Sequence, residues 1–361
     1  MASNPPTLAL SLKGAGDNKE SPSPLRGEGW GGGDAHTPLL ARVAIGALLV
    51  VLLFAPMVFG TYRVFQITTM VTDAIALLGL NILTGYNGQI SIGHSAFYAV
   101  GAYTVAILTV NLGQPFWIAL PGAAAVSFIV GFLFGLPALR LGGAYLALAT
   151  FALAVAMPQL LKYKLIEPWT KGTLGMSIAK PAVPFGLPVD QDQFLYYLSL
   201  LIAVGLFMAG RNLVMGKVGD AMMAVRDHPT AAAAMGIDNS LLKTKTFGVS
   251  AMYTGVAGGL GAYAAQYVAP DSFTFMLSIS LMVGIVIGGA GTVSGAIYGA
   301  IFIGLVPDYA SEISKAVPWA LYGSCLIVCV FVMPDGIHGV VSAIAARIAS
   351  RGKEWNRGGV R

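Results

Sequence analysis

Trp117-Ile118-Ala119-Leu120-Pro121-Gly122-Ala123-Ala124-Ala125-Val126-Ser127-Phe128-Ile129-Val130-Gly131-Phe132-Leu133-Phe134-Gly135-Leu136-Pro137-Ala138-Leu139 runs for 23 residues without Asp, Glu, Lys or Arg. At about 1.5 Å per residue, a helix of that length crosses the roughly 30 Å of hydrocarbon in a bilayer. Val43–Phe59, Ala144–Leu161 and Phe194–Ala209 are equally free of charge, and Val71–Leu83 carries only Asp73. Lipid offers a backbone no hydrogen-bond partner, so repeated blocks of this kind are read as helices. The two-residue alternation of a membrane barrel is absent.

Composition leads to the same fold class. Of 361 residues, 56% are hydrophobic and 10% charged, where soluble domains carry about 25% charge. The formal charge of +5 does not indicate nucleic acid. Lys and Arg fall between the apolar blocks, as suits loops at an anionic lipid surface, and form no basic stripe with interleaved aromatics. Cys325 and Cys329 sit within an apolar run without other ligands nearby, and read as small helix residues.

The expected architecture is an all-α integral membrane bundle of about ten spans. They fall near 42–61, 64–84, 90–111, 116–138, 143–162, 193–210, 246–267, 272–290, 293–312 and 317–334, in a transmembrane body over 39–340. Residues 1–38, with Ser21-Pro22-Ser23-Pro24 and Gly27–Gly33, have little to bury and are expected to be a disordered tail. Residues 341–361 are expected to be a basic tail. An even span count puts both termini on one side. The opposite side then holds Arg63, Lys162, Lys164, Lys171, Lys180 and Lys315, six of the 21 Lys and Arg, against fifteen on the side of the termini. That bias assigns the termini and the 211–245 loop to the cytoplasm.

Three segments stand out. Asp227-His228-Pro229-Thr230 precedes Ala231-Ala232-Ala233-Ala234-Met235-Gly236. Pro at a first helical turn, alanines after it and a glycine to stop it predict a short helix, Pro229–Met235, between two spans. It is either a connector or an element that seats in another protein. Asn81-Ile82-Leu83-Thr84-Gly85-Tyr86-Asn87-Gly88-Gln89-Ile90-Ser91-Ile92-Gly93-His94 breaks an apolar region with glycine and polar residues. It is either a turn or irregular backbone at membrane depth, which marks many transporter substrate sites. His94 is read as hydrogen-bonded, and Asn81 as a candidate for a polar bond between helices. Asp73 is placed near an outer helix end, where a carboxylate stays hydrated. Finally, Gly255/Gly259, Gly284/Gly288, Gly291/Gly295 and Gly295/Gly299 are four apart, a close-packing signal. Phosphate-loop, nucleophile-elbow and zinc-protease motifs are all absent from the sequence. No catalytic chemistry, cofactor or metal is therefore expected of this chain, and if ATP powers transport another chain must bind it.

The residues from Gly79 to His94 and from Arg226 to Asp238, with Gly288-Gly289-Ala290-Gly291-Thr292-Val293-Ser294-Gly295-Ala296-Ile297-Tyr298-Gly299, resemble the LivM-type permeases of branched-chain amino-acid ABC importers. The resemblance runs from about residue 65 to 335. It implies a bacterial inner-membrane protein partnered by a LivH-type permease, two cytoplasmic ATPase subunits that bind ATP and Mg, and a periplasmic solute-binding protein. It implies that Arg226, Asp227, Pro229, Ala231, Ala232 and Gly236 belong to the loop that docks on the ATPase. Asn81, Gly85, Tyr86, Asn87, Gly88, Gln89, Ser91, Gly93 and His94 become candidates for the translocation path. Pro229 stands where the family often has Glu, Val155 where an acid is common, and Ser95 where Gly is usual. Alternative cargoes are urea, short amides or other amino acids. An ion-driven secondary transporter would want more ionisable residues at mid-membrane than Asp73 and His94.

Overall fold

The computed structural model describes residues 51–138, 143–184, 190–313, 323–324, 327 and 336–344. The 1–38 tail, residues 42–50 of the first expected span, most of the tenth span with Cys325 and Cys329, and residues 345–361 lie outside them. Residues 336–344 are helical, so the segment expected as a tail from 341 begins inside a helix.

Helix α1, described over residues 51–58, is followed by α2 (Thr61–Asn81), which continues through a π-helical turn, Ile82–Tyr86. Next come α3 (His94–Ala106, extended by the π turn Ile107–Asn111), α4 (Phe116–Ala138) and α5 (Ala144–Leu161). After a loop carrying α6 (Glu167–Thr170) come α7 (Gln191–Val214), α8 (Lys217–Asp227), α9 (Pro229–Ala234), α10 (Asn239–Ala265), α11 (Phe275–Gly288) and α12 (Val293–Ile313). The expected spans from the second to the ninth thus each meet a helix. Five described segments are long and apolar enough to cross a membrane: Thr61–Tyr86, Phe116–Pro137, Ala144–Leu161, Gln191–Val214 and Pro270–Gly288.

Helix starts follow local chemistry. Asp190 accepts a hydrogen bond from Gln191 N at 2.9 Å ahead of α7, and Asp238 accepts one from Leu241 N at 3.0 Å ahead of α10, supplying acceptors for orphan amides of a first turn. Helix α10 lies at the centre, packed on α2, α3 and α4. Between membrane helices, dispersion and close approach drive packing. Small residues permit it here: a Cβ on Gly101 of α3 would overlap the backbone of Gly255 in α10. Phe97, Phe134 and Phe247 fill the gap below, with Phe97 and Phe247 edge to face at 5.6 Å. Helices α11 and α12 form a hairpin whose contact is also made by glycines; a Cβ on Gly288 would lie 2.8 Å from Gly299 N.

The 163–184 loop is partly ordered by a two-residue strand, β1 (Met176–Ser177), antiparallel to β2 (Tyr267–Val268). Lys162 and Asp271 pair at 2.6 Å, and Lys180 pairs with Asp192. The placement of Asp73 differs from expectation. Helix α2 starts at Thr61 and stays helical to Tyr86, so Asp73 stands midway along it and not near an end.

Candidate functional site

Three separated stretches of sequence meet at the C-terminal end of α2. Asn81, fully buried, donates from Nδ2 to the Thr292 carbonyl at 2.6 Å and accepts from Gly291 N at 2.8 Å. One amide thereby fixes the turn between α11 and α12, where Gly289 and Gly291 hold positive φ of 117° and 78°. Gly85, in the π turn, lies against that loop. A Cβ there would come within 2.9 Å of Gly291 Cα.

The Gly85 carbonyl belongs to the last helical turn and lacks an intrahelical donor. Arg226, at the end of α8, supplies one from Nη1 at 2.8 Å. A cation at a helix C-terminus also suits the helix dipole. The same guanidinium pairs through Nε with Asp227 Oδ1 at 2.8 Å. The Arg226 stem covers Gly88, whose φ is +70°. A cavity of about 140 Å³ opens beside it, lined in part by Asn87, Arg226, Pro229 and Lys243.

From Asn87 to Gly93 the chain is neither helix nor sheet, and burial alternates. Asn87, Gln89, Ser91 and Gly93 point inward, while Gly88 and Ile90 are exposed. Such backbone is stable at depth only if its polar groups are met. Gln89 N donates to the Leu83 carbonyl at 3.1 Å, and Gln89 Nε2 to the Lys243 carbonyl of α10 at 3.2 Å. Ile92 N donates to Thr150 Oγ1 of α5 at 3.0 Å. His94 links Ser91 (2.9 Å at Nδ1) to Ser250 of α10 (2.8 Å at Nε2), and Ser250 donates onward to the Gly79 carbonyl at 2.6 Å. Because the Ser250 hydrogen goes to Gly79, His94 must donate from Nε2. Ser95 N donates to Ser278 Oγ of α11 at 2.9 Å. The break between α2 and α3 is thus tied to α5, α10 and α11. Tyr86 is buried at its start, and the buried Asn87 amide has no hydrogen-bond partner among the described residues.

Comparison with known proteins follows this layout. Residues 62–333 match the family model described as "Branched-chain amino acid transport system / permease component". The chain belongs to this permease family. It is 33% identical over 322 residues to the high-affinity branched-chain amino acid transport system permease protein LivM of Salmonella typhimurium, covering 82% of this chain and 74% of the relative. It is 32% identical over 321 residues to LivM of Escherichia coli, with the same coverage. A probable LivH permease of Methanocaldococcus jannaschii is 28% identical over 152 residues, 40% of this chain and 47% of the relative. No solved structure matches.

The permease's 211–245 loop holds two helices. Helix α8, on which Arg226 rides, has no separate expectation in the sequence reading. Its apolar residues Met222 and Val225 are buried against the body. Helix α9 ends one residue short of the expected Met235, and Gly236 takes φ +85°. Asn239 Nδ2 holds the Pro229 carbonyl at 2.7 Å. The loop residues do not share one role in the geometry. Ala231, Ala233, Ala234 and Met235 are exposed, Met235 at 85%. Ala232 is 4% exposed and packs inward, so it is a support and not a contact surface. Arg226 also turns inward. Thr150, Ser250, Ser278 and Lys243 were not singled out in the sequence, since lone hydroxyls in apolar helices carry no local sign of a partner far along the chain.

Proposed function

We propose that this chain is a transmembrane permease subunit of an ATP-binding-cassette importer for leucine, isoleucine and valine. It forms the translocation path with a LivH-type permease. The observation that carries the reading is the similarity to LivM permeases over 82% of the chain. The partial similarity to a LivH permease fits two related subunits meeting as near-equals. In this reading the protein lies in a bacterial inner membrane with both termini cytoplasmic, as the Lys and Arg bias supports. Two cytoplasmic ATPase subunits bind ATP and Mg, and a periplasmic binding protein delivers the cargo.

The α9 surface formed by Ala231, Ala233, Ala234 and Met235 docks on an ATPase. Motion there passes through Arg226 to the end of α2 and the 87–93 segment. Deletion of the gene tests the transport reading: uptake of leucine, isoleucine and valine at low concentration is lost, and unchanged uptake refutes it. Docking is tested by cysteines. Met235→Cys crosslinks to an ATPase subunit in the intact complex and Ala232→Cys does not; no crosslink from Met235→Cys in an active complex removes α9 as the docking surface.

A further inference from the structure

The outer half of α2, in the orientation given above, is built unlike its inner half. From Ala74 to Asn81 every residue is buried. On the preceding turns only Val64, Gln66, Thr68 and Thr72 are buried. Tyr62 is 66% exposed, Phe65 40%, and Thr69 and Asp73 are partly exposed. These positions are three or four apart, so they lie along one face of the helix. Leu77 and Leu80, the next turns, are fully buried. This line of accessible positions runs from the outer end of α2, and Asp73 is its last member before the buried run.

Asp73 has no hydrogen bond or ion pair with any described residue. It lies deep in the fold yet keeps accessible surface. The Tyr98 phenol of α3 is beside Thr72 and within electrostatic reach of the carboxylate. Phe273 leans on the Tyr98 ring at 6.1 Å. The Arg63 guanidinium, a cation on the same helix, is instead engaged by Gln66 at 2.9 Å, nearer the helix start. Gln66 in turn bonds Asp308 of α12. A carboxylate at the middle of a span costs about 2.5–3.5 kcal/mol on insertion scales. Nothing described in this chain offsets that cost.

We infer that Asp73 is a cation subsite at the bottom of an outward-facing approach, and that it receives the α-ammonium group of the amino-acid cargo. The inference rests on the proposed transport function. The cargo's own chemistry meets the site: a zwitterion with an apolar side chain brings a positive group for Asp73 and apolar surface for Phe65 on the same line. The binding protein selects the cargo before release, so Asp73 sets the rate of passage and not the apparent affinity.

The test restores the full chain, with its partners, to cells lacking the gene. Wild-type chain that fails to restore leucine uptake refutes the transport reading itself. Given restoration, Asp73→Asn in normally assembled complexes is expected to lower the maximal uptake rate at least tenfold with KM unchanged, and Asp73→Glu to recover most of it. Equal maximal rates for Asp73→Asn and wild type overturn the subsite. Failure of Asp73→Asn to assemble, with normal assembly of Asp73→Glu, assigns the carboxylate to packing and overturns it too.

Discussion

The two halves of α2 are one continuous helix under opposite rules. At its C-terminal end Asn81 and the Gly85 carbonyl each have a named partner, from the 291–292 loop and Arg226, and backbones touch without intervening side chains. Its N-terminal half is more open, and a mid-span carboxylate waits there without a partner among the described residues. Close packing transmits displacement because it does not deform continuously, whereas an accessible polar group can exchange partners. The difference separates a mechanical end from a chemical one. It also shows why the three quoted motifs, far apart in sequence, belong together: all three build the mechanical end.

The contrast can be broken most severely at Gly85. Gly85→Ala sets a Cβ against the Asn81 side chain and the Gly291 backbone, and neither backbone can step aside. We expect about 3 kcal/mol of destabilisation, the upper range for overpacking, and uptake below a tenth of wild type; thermal unfolding of the solubilised complex and an uptake assay check this. Asn81→Ala comes next. It strands the Gly291 N–H and the Thr292 carbonyl, and a buried group left unmet costs about 1–3 kcal/mol. A melting temperature equal to wild type would mean that the α11–α12 turn does not depend on that amide. The smallest effect is expected in the N-terminal half. The Thr69 hydroxyl bonds only to the Phe65 carbonyl of its own helix, at an exposed position, so Thr69→Ala should stay within about 0.5 kcal/mol, as exposed substitutions do. A much larger loss would show that the N-terminal half is braced as tightly as the C-terminal end.

Much of the fold was legible because hydropathy is a local signal. Runs such as Trp117–Leu139 and Phe194–Ala209 announced their helices, and Pro229 with Gly236 announced both ends of α9. The helix α10 was harder to bound, since a helix buried on every side can carry Gly, Ser and Thr where a lipid-facing one carries Leu. Its start lies seven residues earlier than hydropathy placed it, because Asn239–Lys245 is helix outside the apolar run. The span expected from 90 begins only at His94, because Gln89–Gly93 is held out of the helix by bonds to α5 and α10. Asp73 was misplaced because the apolar block was counted from Val71, whereas the helix begins ten residues earlier, at Thr61. In the site, residue types were legible and partners were not. Arg226 and Gly85 are 141 positions apart, and no local pattern in either segment names the other. The inward turn of Ala232 follows from which face of α9 meets the body, which a run of four alanines leaves open.

The central claim is that Arg226 ties the 211–245 loop, proposed to dock on an ATPase, to the end of α2. Its most direct test is the number of cargo molecules moved per ATP hydrolysed by the reconstituted complex carrying Arg226→Lys, which keeps the charge but loses the fork shared by Gly85 and Asp227. The account predicts that hydrolysis stimulated by loaded binding protein persists while transport falls at least fivefold. An unchanged ratio of transport to hydrolysis would contradict it.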